Sequence, residues 1–396
     1  MRRARGLAAA VMGMAVFLTE LPTAWASAGG RVRCGDTITR STRLTHDLSC
    51  PGTDGPALRV VGKGVILDLG GHTVRRSGPD PMGTSEGILV LADSTVRNGT
   101  IRGFQLGYVL DADGQHSPEH VRLSRLRFID NRGAIYHRNG HATLTLTDSM
   151  LVGNGTGLGS EQDASSGTFE VRSTLFLGQG LALSANLHSV DVVRSTFSFN
   201  GTVVWCPYGS ITFRSSWLLQ NDVVGRIPLG DFGYGFCSVA SFTDTLIARN
   251  GSLAPSDQPA WEPGNFVLRG SRVTDNDSGL LVRAWTVDIQ DDTWWGNAGG
   301  LTLADLPEYV PPPLAGTVSG NRFLDNRGDG LRVTVPSTLT VSRNTAIGNT
   351  GWGLHVPGVI DGGGNVARDN GAGNCIGVVC ASRPVREELQ ASPVSR

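Results

Sequence analysis

Amide residues recur along this chain at Asn131, Asn154, Gln179, Asn200, Asn221, Asn250, Asn276, Asn297, Asn326 and Asn349, in steps of 21 to 29 residues. A period of that size marks a solenoid, in which no repeat buries its apolar face alone and stacking supplies the core. With each amide as origin, position −3 reads Phe128, Leu151, Phe176, Phe197, Leu218, Ile247, Val273, Trp294, Phe323 and Ala346. Position −8 reads Leu123, Leu146, Val171, Val192, Phe213, Phe242, Leu268, Ile289, Val318 and Val341. All twenty are apolar, which predicts two columns of core.

A leucine-rich repeat shares those columns but needs a third apolar position five residues before the amide. Here that position reads Leu126, Ser149, Thr174, Ser195, Ser216, Thr245, Ser271, Asp292, Asn321 and Asn344, of which all but Leu126 are small polar or amide residues that suit a bend between strands. After most amides comes a short alternating run such as Ile135-Tyr136-His137-Arg138, Leu158-Gly159-Ser160-Glu161 or Leu181-Ala182-Leu183-Ser184. Taken from its first apolar residue, each run has its first and third side chains facing in and its second and fourth facing out. Three short strands per coil predict an all-β, single-stranded, right-handed parallel β-helix of about 10–12 coils with an internal Asn ladder.

On these residues the chain resembles the right-handed parallel β-helix proteins of the pectate-lyase-like superfamily, whose stacked amides form an asparagine ladder. The openings Cys34-Gly35-Asp36-Thr37-Ile38 and Val65-Ile66-Leu67-Asp68-Leu69-Gly70-Gly71-His72-Thr73 are similar to the start of secreted bacterial members. No catalytic subfamily matches. Asp291-Asp292 is similar to the paired aspartates of polygalacturonases, but no Gly-His-Gly or Arg-x-Lys follows. The pectate-lyase and alginate-epimerase strings are likewise absent, and the fold alone does not name a chemistry.

The first 26 residues read as a secretory signal: basic Met1 to Arg5, an apolar stretch too short to span a bilayer, and Ala24-Trp25-Ala26. The division expected is signal 1–26, an N-terminal cap 27–60, the β-helix 61–374, and a C-terminal cap with a disordered tail 375–396. Export predicts disulfides between Cys34 and Cys50, Cys206 and Cys237, and Cys375 and Cys380. Without the signal the formal charge moves from −1 to −3, so no basic surplus draws nucleic acid or anionic lipid. No membrane insertion, cofactor or metal site is expected, and the rod is expected to be a monomer. Five N-x-S/T sequons occur, four of them at ladder positions where the Asn is expected to turn inward; Asp68 and His72 read as turn and capping residues.

The functional candidates come from uneven polarity. Asp111, Arg138 and Glu161 fall at the outward fourth position of successive coils, followed by Ser184, and His141 ends the same segment as Arg138. As a catalytic set they would suit elimination or epimerisation of a uronic acid, with Arg138 neutralising the carboxylate and His141, or the inward His137, moving the proton. The insertions Gly225–Cys237, Ser252–Gly264 and Ala304–Gly316 leave the rod after the same strand and carry Phe232, Tyr234, Trp261 and Tyr309. Tyr234 and Trp261, with Trp205 and Tyr208 on the neighbouring strand, make four expected substrate-binding residues that stack on sugar rings. The expectation is therefore an extracellular polysaccharide partner, either bound or acted on by a lyase or epimerase. The alternative is a non-enzymatic matrix or adhesion scaffold.

Overall fold

A computed structural model describes residues 31–381 except 52–54, 81–82, 114–116, 162–164, 228–236, 258–259, 305–312 and 335–336. Residues 1–30, with the expected signal, residues 382–396, Phe232, Tyr234 and Tyr309 lie outside the described residues. The described chain is all-β, its strands pairing in parallel with strands of neighbouring coils to make a solenoid of about 13 turns.

Three walls enclose the lumen. The first is a nine-stranded sheet from Asp36–Ile38 to Val223–Arg226, continued by a six-stranded sheet from Ala260–Trp261 to Gly373–Ile376, with a Val223–Ser252 bridge at the change. Walls two and three form one network, because Ser94–Arg102 and His120–Ile129 run round the corner between them. The turns extend beyond the amide count because coils before Asn131 are built without that amide: the Phe104 amide donates to Asn131 Oδ1 at 3.0 Å and takes the ladder position itself.

Both predicted core columns face the lumen, and every member is 2% exposed or less. Register places them in line, with Phe128 opposite Leu151, Leu151 opposite Phe176 and Phe176 opposite Phe197. The last two rings stack at 4.5 Å. The amide column is a ladder. Asn200 Nδ2 donates to Asn221 Oδ1, and Asn221, Asn250 and Asn276 repeat the step, each at 2.9 Å. Each Nδ2 also donates to a carbonyl on the preceding coil, as Asn200 does to Phe176. Gln179 is longer by one methylene, so its Nε2 turns to the carbonyls of Leu151 and Leu177 while its amide N–H keeps the Asn200 contact. The ladder ends at Asn370, one rung past the expected series.

The position read as a bend is a second ladder. Thr174 N–H donates to Ser195 Oγ, Ser195 N–H to Ser216 Oγ and Thr245 N–H to Ser271 Oγ. The column then changes to Asp292, Asn321, Asn344 and Asn365, the amides linking as in the first ladder. Four sequon asparagines, Asn154, Asn200, Asn250 and Asn276, are buried ladder members. The fifth, Asn98, donates to Asp68, which also accepts from Gly70 and Arg97. His72 contacts Asp47 at 3.2 Å.

Two expectations need correction. Leu181 pairs with Thr156 and Leu183 with Leu158, so Leu183 faces the lumen and Leu181 lies half-exposed outside. The amide, two residues before Thr156 and Leu181 alike, sets the register; the first leucine does not. Ser184 therefore sits two residues away from the row of Glu161. Trp261, expected on an exposed insertion, is 1% exposed. It belongs to the wall-one strand Ala260–Trp261, stacks on Phe242 at 5.4 Å, and its indole N–H reaches the carbonyls of Gly225 and Leu253. Gly225 leaves the room: a Cβ there would lie 3.0 Å from the indole.

The three expected disulfides are formed, Cys34–Cys50, Cys206–Cys237 and Cys375–Cys380. Among the described residues no helix is long and apolar enough to cross a membrane.

Candidate functional site

An open cleft of about 450 Å³ lies on the outer face of wall one, lined by Thr84, Glu86, Gln105, Arg132, Tyr136, Arg138, Thr156 and Glu161 among others. Stacked strands supply it. Glu86 begins Glu86–Val90, Tyr136 belongs to Gly133–His137, and Glu161 directly follows Thr156–Ser160. Strand alternation turns Tyr136 outward while Ile135 and His137, on either side of it, are buried.

Arg138 is an ion-paired hub. One terminal nitrogen contacts Asp111 at 3.1 Å, the other contacts Glu86, and both carboxylate side chains are only 14% exposed. Asn139 holds the second Asp111 oxygen at 2.8 Å. These contacts raise the Arg138 pKa against the opposing effect of its burial, so its charge is permanent. The second carboxylate on Arg138 is thus Glu86, a residue the spacing argument missed because it stands at the start of its strand. Glu161, in the same row on the coil after Arg138, instead accepts from the Tyr136 hydroxyl at 2.6 Å. Burial, and then that bond, push the Tyr136 phenol well above its ordinary pKa, so it stays a donor.

His141 is elsewhere. It lies on Gly140–Thr147 in wall two, exposed, with Nδ1 3.0 Å from Ser166 Oγ. His137 points into the lumen as its register requires, with Nδ1 2.9 Å from His188 Nε2. The far nitrogens of the pair face the carbonyls of Asn139 and Asn186. Burial, followed by repulsion from His188, pulls His137 down to about 4, so it is neutral at neutral pH. Asp111, Arg138, Glu86 and Glu161 are brought together; His141 is not.

Of the expected sugar-stacking residues, Tyr234 lies outside the described residues and the other three are dispersed. Trp205 is half-buried on wall one, opposite Ser184 and Arg226, Tyr208 follows at the corner, and Trp261 is core. Among the described residues the exposed large aromatics are Phe199, at the turn before Asn200, and Trp217 and Trp295, 55% and 46% exposed, on strands of wall three. The two tryptophans occupy positions −4 and −2, which flank the core column, so strand alternation alone places them outside. Among the described residues no His, Cys, Asp or Glu cluster is fit to hold a metal ion.

Fold and ladders define a parallel β-helix protein. No family model and no curated protein matches the chain. Among solved structures, the catalytic unit of a thermostable GH87 alpha-1,3-glucanase from Streptomyces thermodiastaticus strain HF3-3 aligns at 14% identity with a TM-score of 0.46. The alignment covers 85% of this chain and 62% of that one, so this chain spans less than two thirds of the glucanase unit.

Proposed function

We propose that this protein is an exported carbohydrate-binding β-helix whose wall-one cleft receives an uncharged stretch of polysaccharide. The observation that carries the reading is the cleft's fixed polar geometry: Tyr136 bound to Glu161 on one side, and Glu86 bound to Arg138 on the other. Sugar rings offer apolar C–H faces to an aromatic and hydroxyls to pre-oriented carboxylates and amides, and Tyr136, Glu161, Glu86 and Gln105 supply those groups. Three disulfides fit an oxidising compartment, and the basic, apolar, A-x-A start supports export.

Charge argues for a neutral ligand. In the cleft lining Glu86 and Glu161 balance Arg132 and Arg138, and both terminal nitrogens of Arg138 already hold carboxylates, one of them Asp111 just outside the lining. A uronate carboxylate would find only Arg132. Elimination or epimerisation would also need a base at C5, and His141 stands on another wall. The reading is therefore binding without turnover, close to the adhesive-scaffold alternative but with a defined site.

The test is calorimetric titration of the mature chain with neutral and uronate oligosaccharides, alongside the absorbance of an unsaturated uronate product. Tyr136→Ala and Glu161→Gln are each expected to weaken neutral-oligosaccharide binding at least tenfold, which is about 1.4 kcal/mol. Appearance of unsaturated product, or unchanged affinity in both variants, would overturn the proposal.

A further inference from the structure

On wall three, positions −4 and −2 can be followed without interruption from Arg127–Ile129 to Thr345–Ile347. Its outward residues are largely aliphatic: Met150, Val152, Leu175, Leu177, Leu219 and Leu246 stand half-exposed there. Toward the C-terminal end the character changes. Arg272, Thr293 and Arg322 follow one another on successive rungs, and Thr274, Trp295 and Leu324 do the same in the next row. Together with Leu246 these six residues line an open cleft of about 470 Å³.

We infer that this cleft is a second binding site, for a glycan bearing carboxylate or sulfate groups: a sugar ring lies on Trp295 and its anionic group sits between Arg272 and Arg322. Three observations support that assignment. Both guanidinium groups are exposed, and neither forms an ion pair among the described residues. They stand two rungs apart, about 10 Å between backbones, with the small Thr293 between them, so their side chains can converge on one anion from either side. The Trp295 indole is half-exposed yet tethered, its N–H lying 3.3 Å from Asp325 Oδ2, so little side-chain freedom remains to be lost on stacking. Asp275 and Asp325 border the cleft beyond Thr274 and Leu324, and Asp325 keeps its charge while accepting from the indole; the two arginines stand in the row on the opposite side of Trp295, so the anionic group is held on that side. The inference does not depend on the wall-one cleft.

The experiment measures binding of the full mature chain to polygalacturonate, to heparin and to uncharged dextran at low and high salt. Binding to at least one charged polymer, weakened by salt and absent for dextran, is expected; which polymer binds distinguishes a carboxylated from a sulfated glycan. Arg272→Gln combined with Arg322→Gln should weaken that binding at least tenfold and flatten its salt dependence. Trp295→Ala should weaken it at least tenfold, with Trp295→Phe recovering most of the loss. All three side chains are on the surface, and unchanged thermal unfolding verifies that the variants fold. Tyr136→Ala should leave charged-polymer binding intact, so failure here is separable from failure of the wall-one proposal. The inference is overturned if wild type binds neither polymer, if the arginine double variant binds normally, or if Trp295→Ala abolishes only self-association.

Discussion

At the residue scale the two ladders are the places where a single atom matters most. Asp292 stands at the head of a run of amides, is fully buried, and has one oxygen without a hydrogen-bond partner. Burial raises its pKa to about 8 from 3.8. The folded state then holds the proton more tightly than the unfolded chain, so its contribution is complete in acid and is lost as pH rises from about 4 toward 8, by up to about 1.4 kcal/mol per pH unit. Asn321, the next residue in the column, shows what the site prefers, since its Nδ2 donates both to the Ile289 carbonyl and to Asn344. Asp292→Asn should therefore stabilise the protein, and by more at pH 8 than at pH 4, in urea unfolding at the two pH values. A smaller gain at pH 8 would mean that the aspartate is ionised and solvated. Conversely, Asn200→Ala strands the amides of neighbouring coils and should cost about 1–3 kcal/mol in the same assay.

At the element scale the strands, their alternation and the core were legible from counting alone, because a lumen lined by identical positions forces the same residue class at each turn. What escaped was register within a coil. Aligning first leucines misplaced Leu181 and Ser184, whereas distance from the amide places both. Trp261 escaped because an insertion splits the wall-one strand there, and the core space for an indole depends on Gly225, from a coil upstream. The same dependence on close coil contact makes Gly167 hard to replace. It has φ +135°, and an added Cβ would lie 1.9 Å from the Ala142 carbonyl oxygen. Gly167→Ala should lose at least about 1–3 kcal/mol from backbone strain alone, read as a lowered midpoint in urea. The Cys206–Cys237 bridge, joining residues 31 apart, should add about 3–4 kcal/mol by restricting the unfolded chain. Cys206→Ala/Cys237→Ala would show that difference, and an unchanged midpoint would assign the bridge no stabilising role.

At the scale of the whole molecule, a rigid solenoid displays its outward side chains in rows about 4.8 Å apart, and the rows differ by wall. Wall one carries carboxylates, Tyr136 and an arginine neutralised by its neighbours; wall three carries apolar rows ending in Trp295 and two unpaired arginines. Half of the wall-one site was legible: Asp111, Arg138 and Glu161 do gather there, since like positions on adjacent coils must be neighbours. Glu86 and Tyr136 were not legible, because partners in a mixed-charge cluster depend on side-chain reach as well as on row. The wall-three aromatics were open to the same alternation argument that located the core. The central proposal is that these walls bind different glycans. It is tested most directly by titrating Tyr136→Ala and Trp295→Ala against one neutral and one acidic oligosaccharide. Tyr136→Ala is expected to lose the neutral ligand and keep the acidic one, and Trp295→Ala to do the reverse; loss of both ligands in one variant, or of neither in both, would contradict the proposal.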